Sequence, residues 1–223
     1  MKRKFKSEIL FKSYLKERFD LNDDQISRID KYCSLIDSWS ARQNIVSRHD
    51  LDYLWPKHII PCSFLSAYIK EQQINSVADF GSGAGLPGII IKLLLPHISV
   101  YLIDSSRRKC LFLSEACEML GINCAIINKR VENLGREDNI PYDMIVSRGL
   151  SSLDMLWKWS EKRITSKGML CVLKGGNLDQ EYNALRALNV NIDIIKSDHE
   201  WLNFDDSMLD KFIVCIRSTH EER

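Results

Sequence analysis

The sequence predicts an α/β fold, a mostly parallel seven-stranded sheet preceded by a helical extension. Three observations lead to it. The first seventy or so residues repeat apolar positions at helical spacing, and from about residue 75 short apolar runs alternate with amphipathic ones. Between the first run and the first amphipathic stretch lies Asp79-Phe80-Gly81-Ser82-Gly83-Ala84-Gly85-Leu86-Pro87-Gly88-Ile89, a glycine-rich strand-to-helix turn.

The elements follow in order. A first helix is expected over residues 7–18. Asp23 and Asp24 open a second, with Asn22 as its N-cap and Ile26, Ile29, Cys33, Ile36 and Trp39 on one face. A third covers 58–69 and is entered or kinked at Pro61. Strands are expected over 76–80, 100–103, 124–128, 144–147, 169–173, 192–196 and 212–216. Helical stretches at 88–95 and 107–120, a short or irregular piece near Val131, and 153–163 separate the first five. Such alternation places helices on both faces of a parallel sheet. No long helix parts the last two strands, so one of them is expected to run antiparallel. The chain divides into a helical extension (1–72) packed on the core, a main domain (73–218) and a tail (219–223).

Composition narrows the class. Apolar residues make up 45% and charged residues 27%, as in ordinary globular chains. No uninterrupted apolar run approaches the ~20 residues that span a bilayer, and no apolar signal core follows the basic Lys2-Arg3-Lys4 start; a cytoplasmic protein is expected. The seven cysteines include no C-x-x-C pair and the five histidines lack ligand spacing, so no metal is expected. Net charge is only +1, yet basic residues cluster at Lys2 to Lys6, Arg107-Arg108-Lys109 and Lys129-Arg130, with Arg148 and Lys174 single in loops. Local basic surface of this kind permits RNA or DNA binding and equally suits a solvated face.

A glycine turn opening a helix presents free backbone N–H groups to a ligand. Gly81 and Gly83 fit the first two places of a dinucleotide fingerprint, but the third is Leu86, with Gly85 one residue early; a P-loop's Gly-Lys-Ser/Thr is missing. The next strand ends in Asp104, nineteen residues past Gly85, where an acid can accept both ribose hydroxyls of an adenosine. Alternatively Asp104 only caps the helix that follows. After the third strand, Val131 can pack on an adenine ring and Glu132 can meet its amino edge. Together Asp79-x-Gly81-x-Gly83-x-Gly85, Asp104 and Val131-Glu132 favour S-adenosylmethionine over NAD.

At these residues the chain resembles a known family, the bacterial 16S ribosomal RNA guanine-N7 methyltransferases (methyltransferase G of the small subunit, or glucose-inhibited division protein B). The resemblance spans nearly the whole chain. It rests on the glycine turn with its Leu86-Pro87-Gly88 tail, on Asp104-Ser105 followed by Arg108-Lys109 and Phe112-Leu113, and on Arg130-Val131-Glu132. Tyr142-Asp143 leading into Ser147-Arg148, Leu173-Lys174-Gly175 and the lead-in Trp39-Ser40-Ala41-Arg42-Gln43-Asn44-Ile45 also resemble the family. It implies a class I S-adenosylmethionine-dependent methyltransferase fold, Rossmann-like, that methylates N7 of one guanine in 16S RNA. Carried over by position, the cofactor residues are Gly81, Leu86, Val131, Glu132 and Arg148. Lys57-His58-Ile59-Ile60-Pro61-Cys62 departs from the family's Arg-His-x-x-Asp-Ser, and Ser147-Arg148-Gly149-Leu150 from its Ser-Arg-Ala-Phe.

Guanine N7 has an exposed lone pair and no proton, so its methylation needs positioning rather than a general base. The sequence offers no acid–base dyad, and no catalytic residue is assigned. Arg148 and Lys174, ending the fourth and fifth strands, are the positioning candidates. Arg148 could instead pair with Asp79 or Glu132 as scaffold, and Lys174 is expected to meet RNA phosphate. His58 and Trp55 either grip RNA or simply pack. Cys171, inside Met169-Leu170-Cys171-Val172-Leu173, belongs to the core rather than to covalent catalysis. The expected partner is 16S RNA or the small ribosomal subunit, met by a monomer. The competing readings are a methyltransferase for another RNA or a small acceptor, an NAD(P)-linked oxidoreductase, and a non-catalytic RNA-binding assembly protein.

Overall fold

A computed structural model describes residues 8–135, 141–197, 201 and 204–219. The basic stretch Lys2 to Lys6 and most of the expected tail lie outside the described residues. The strands are β1 (Ser76–Phe80), β2 (Ser99–Ile103), β3 (Ala125–Ile127), β4 (Tyr142–Arg148), β5 (Ile164–Gly175), β6 (Val190–Lys196) and β7 (Lys211–Ser218). They form one sheet in the order β3-β2-β1-β4-β5-β7-β6, parallel from β3 through β5, with β7 antiparallel to both neighbours. The order reverses between β1 and β4, the crevice where open α/β sheets bind ligands at their carboxyl ends.

Around the sheet, among the described residues, lie α1 (Glu8–Phe19), α2 (Asp23–Ser40), α3 (Arg48–Leu51), α4 (Ile60–Lys70), α5 (Gly88–Leu94), α6 (Arg107–Leu120), α7 (Leu153–Ser160) and α8 (Asp179–Arg186). Side-chain alternation along the central strands feeds two cores, one on each face. Val77, Met144, Val146 and Cys171 point into the larger, with helices α1, α2 and α4 to α6; Ala78, Phe80, Ile145 and Val172 point into the smaller, with α7 and α8. Asn22 caps α2 as expected: its side chain accepts from Gln25 N–H at 2.9 Å while Gln25 returns the bond to Asn22 N–H at 3.0 Å.

Three details differ from the sequence reading. The buried face of α2 is Ile26, Ile29, Tyr32, Leu35 and Ile36, with Cys33 and Trp39 only half-buried. Helix α4 begins at Ile60, two residues later than expected and directly after a π-helical turn over Trp55–Ile59, with Pro61 in its first turn at the expected entry. Helices α3 and α8 escaped the apolar period, because α3 is one turn long and α8 has Leu185 as its one fully buried residue.

The described N-terminal helices share the larger core with the sheet. Phe112 on α6 is fully buried, its ring 5.5 Å from that of Trp39 and 6.5 Å from that of Tyr32, both on α2. Truncating such a side chain removes transfer energy and leaves a cavity. Phe112→Ala is expected to destabilise the protein by about 3–5 kcal/mol in urea unfolding. A loss below about 1 kcal/mol would mean that α2 does not depend on this contact.

Candidate functional site

The turn after β1 is stitched to the end of β2. Gly81 and Ser82 N–H both donate to the Ile103 carbonyl, at 2.9 and 3.0 Å. Ile103 N–H donates in turn to the Ser82 hydroxyl at 2.9 Å, and that hydroxyl donates to the Asp79 carbonyl at 2.8 Å. The crossing forces Gly81 and Gly83 to φ of +74° and +56°, a region that side chains resist. A Cβ on Gly81 would lie 2.8 Å from the Leu150 side chain, whereas one on Gly83 would meet nothing closer than 3.8 Å. Gly83 is therefore the open face of the turn. Gly85 and Leu86 sit at its inner end, Leu86 buried. From outside the sheet, the buried Tyr32 hydroxyl of α2 donates to the Ala84 carbonyl.

Asp104 closes the turn. Its Oδ2 accepts from Gly83 N–H at 2.9 Å and its Oδ1 from Ser106 N–H at 2.8 Å, while Lys109 Nζ stands 3.9 Å away. The cap of α6 is Ser106, whose side chain accepts from Lys109 N–H, so Asp104 is not the N-cap. Each Asp104 oxygen has one backbone donor and keeps further acceptor capacity. Asn128 donates to the Asp104 carbonyl at 3.0 Å, tying the loop after β3 to the same point. That loop delivers Val131, buried, and Glu132, partly exposed and 3.6 Å from Arg130.

Beneath the turn lies a second carboxylate. Asp79 is fully buried; Oδ2 accepts from Gly88 N–H, the start of α5, at 2.9 Å, and Oδ1 has no hydrogen-bond partner. Burial pushes its pKa up to about 7, opposed by the Gly88 N–H and reinforced by the negative charge of Asp104.

The end of β4 is held by the π-helical turn. Arg148 donates to His58 Nδ1 at 2.8 Å and to the Lys57 carbonyl at 2.9 Å. The expected alternative, a pair with Asp79 or Glu132, is not what forms. A guanidinium can only donate, so the neutral His58 ring carries its proton on Nε2, which has no hydrogen-bond partner and lies 3.8 Å from Asp50 Oδ2. Burial first, then the Arg148 charge, lowers the His58 pKa to about 4. Asp50 is ion-paired with Lys57, which holds its carboxyl below the usual range.

Structure thus joins Gly81, Gly83 and Asp104 by direct bonds or shared partners, with Gly85 and Leu86 in the same turn, Val131 and Glu132 one loop away and Arg148 on the adjoining strand. Lys174 is not brought in as a free cation. It makes a two-oxygen ion pair with Glu181 at 2.7 and 2.9 Å, bracing β5 against α8. Trp55 packs edge-on against Phe11, 6.1 Å between centroids, beneath Lys12. Cys171 is fully buried. Sequence reasoning missed Tyr32 and Asp79 as supports of the turn. The expected apolar face took Cys33 in place of Tyr32, and the partner of Tyr32 is 52 residues away.

The two perturbed groups affect stability with opposite signs. Folded Asp79 keeps its proton to about pH 7 while an unfolded carboxyl releases it near 3.8, so its contribution is present at low pH and is lost as pH rises to about 7. His58 has the opposite slope, losing stability as pH falls from 6.5 toward about 4. Asp79→Asn should therefore gain stability relative to the parent chain as pH rises from about 4 to about 7. Urea midpoints that run parallel across that window would show that Asp79 does not hold the proton.

Against this geometry, comparisons with known proteins are consistent. The family model of GidB, rRNA small subunit methyltransferase G, matches residues 25–202. Ribosomal RNA small subunit methyltransferase G of Mycolicibacterium gilvum (strain PYR-GCK) is 34% identical over 166 residues, 72% of each chain. That of Aster yellows witches'-broom phytoplasma (strain AYWB) is 29% identical over 181 residues, 81% of this chain and 85% of the relative. The structure of the plantazolicin methyltransferase BpumL in complex with SAH is similar with a TM-score of 0.57 at 15% identity, over 93% of this chain and 100% of that one. At that identity the likeness concerns the fold, which is that of S-adenosylmethionine-dependent methyltransferases. The family match runs through the glycine turn, Asp104, Val131 and Arg148 alike, and the chain belongs to the GidB family of rRNA small subunit methyltransferase G proteins.

Proposed function

We propose that this protein transfers a methyl group from S-adenosylmethionine to N7 of a specific guanine in 16S ribosomal RNA. The observation that carries the reading is the glycine turn held open at Gly83 by the Asp104 carboxylate, in a chain of this family. The residues suit the cofactor. Space above Gly83 is clear, and both Asp104 oxygens have unused acceptor capacity.

In this reading Gly81, Gly83, Gly85 and Leu86 shape the cradle. Asp104 accepts the ribose hydroxyls, Val131 covers one adenine face and Glu132 accepts from its amino edge. Arg148, fixed by His58 and the Lys57 carbonyl, would offer its remaining N–H groups to the methionine carboxylate. When bound, the cofactor supplies an electrophilic methyl on a sulfonium. Guanine N7 carries no proton, so the chain aligns the two reactants and excludes water, which is worth roughly 7–11 kcal/mol. No general base is needed. Residues 73–218 act as the methyl-transfer unit and 1–72 as an extension, in a monomer working in the cytoplasm on the small subunit. No helix among the described residues is long and apolar enough to cross a membrane.

Two measurements test the reading. Asp104→Ala should weaken S-adenosylhomocysteine binding by about 1.5–3 kcal/mol in calorimetry, the range for hydrogen bonds to a charged group. Unchanged affinity in a folded variant would remove Asp104 from the site. Labelled methyl should pass to small ribosomal subunits or their RNA, with chain cleavage at one N7-methylguanine. A cofactor-binding protein that labels neither substrate would overturn the acceptor.

A further inference from the structure

Between α2 and α3 the chain forms a polar concavity of about 430 Å³, lined by Ser40, Arg42, Gln43, Asn44, Ser47 and Arg48. The loop is well anchored. Val46 N–H donates to the Ser40 hydroxyl at 3.3 Å, and Ile45 and Val46 are buried beneath it. Arg42 and Gln43 N–H both donate to the Trp39 carbonyl, at 3.0 and 2.7 Å, and the Trp39 indole donates to Glu115 at 3.1 Å. The shape is thus set by the core rather than by the surface.

Its charge is uncompensated, unlike that of the described cations that sit beside an acid. Lys12, Lys16, Arg18, Arg28, Lys57, Lys158, Lys174 and Arg217 each stand in an ion pair with an acid. Arg42 and Arg48 are exposed, have no acidic partner among the described residues, and share a concavity with no carboxylate in its lining. Two unpaired guanidinium groups over hydroxyl and amide groups suit phosphodiester oxygens and ribose hydroxyls, not an apolar or cationic partner.

The concavity also connects to the strand end described above. His49, next to Arg48, stacks on Tyr53 with centroids 6.0 Å apart and planes at 24°, and Lys57 Nζ lies 5.2 Å from the same ring. Lys57 and His58 then hold Arg148. Guanidinium pair, stacked rings and the residues that hold the strand end thus follow one another along residues 42–58. Basic groups interleaved with aromatic rings are what unpaired RNA requires.

We propose that this concavity binds the RNA backbone beside the methylated guanine, with Arg42 and Arg48 on consecutive phosphates and the His49–Tyr53 pair available to a flanking base. The inference rests on the RNA methyltransferase reading and specifies how that substrate is held.

The test uses the full chain with Arg42→Ala/Arg48→Ala, the lysine double variant, and Lys196→Ala as an exposed basic control on the far edge strand. Steady-state methyl transfer to small subunits and salt-dependent RNA binding are measured, with S-adenosylhomocysteine calorimetry on each variant. The alanine pair should raise KM for the subunit about tenfold or more, leave kcat and cofactor affinity unchanged, and flatten the salt slope by about 1.4. The lysine pair should recover the slope and only part of the affinity. If the parent chain methylates the subunit while the alanine pair keeps its KM and slope, or if Lys196→Ala loses as much, the concavity is not the RNA site. A parent chain that methylates no RNA refutes the underlying reading instead.

Discussion

The bond from Gly83 N–H to the Asp104 carboxylate is the constraint on which the candidate site depends. It joins a turn leaving one strand to an acid ending the next. The two can meet because β1 and β2 pair in parallel with Phe80 opposite Ile103. Parallel pairing brings both carboxyl ends to one edge, and the glycines let the backbone bend close enough to be held. The Ser82 hydroxyl, bridging the two strand ends, makes the same connection a second time.

The helices that precede the sheet complete this arrangement rather than merely cover it. Tyr32 on α2 fixes the far side of the glycine turn, and the π-helical turn before α4 fixes Arg148. Two neighbouring strand ends are therefore positioned by segments far away in the chain. Weakening the packing of α2 on Phe112 would be felt at the turn, because Tyr32 belongs to both contacts. Coupling of that kind follows from close packing, in which side chains have few alternative positions.

Electrostatics divides the polar groups into two sets. One set is the cations paired with a nearby acid, Lys12, Arg18, Arg28 and Arg217 among them, in surface or bracing roles worth little in stability. Lys174 joined that set once β5 and α8 brought Glu181 to it. Asp79 and His58 are the reverse: buried, incompletely hydrogen-bonded, and held in their neutral forms by burial. Unsatisfied polar atoms in a buried setting cost stability, so both mark places where the fold serves something other than its own stability.

What the sequence alone determined was local. Alternating short apolar runs specified seven strands, the period of α2 and its Asn22 N-cap specified that helix, and the glycine spacing with Asp104 specified the turn. Each depends on residues within about one element of one another, where period and spacing carry the information. Tertiary structure alone decided what touches what across the chain. Helix α8, with Leu185 its one fully buried residue, left too weak a period to read. Arg148 found His58, ninety residues earlier, and Lys174 found Glu181 instead of standing free. Nothing in the local pattern at either position encodes its partner, because partners for long polar side chains are chosen by how the packed elements bring them together.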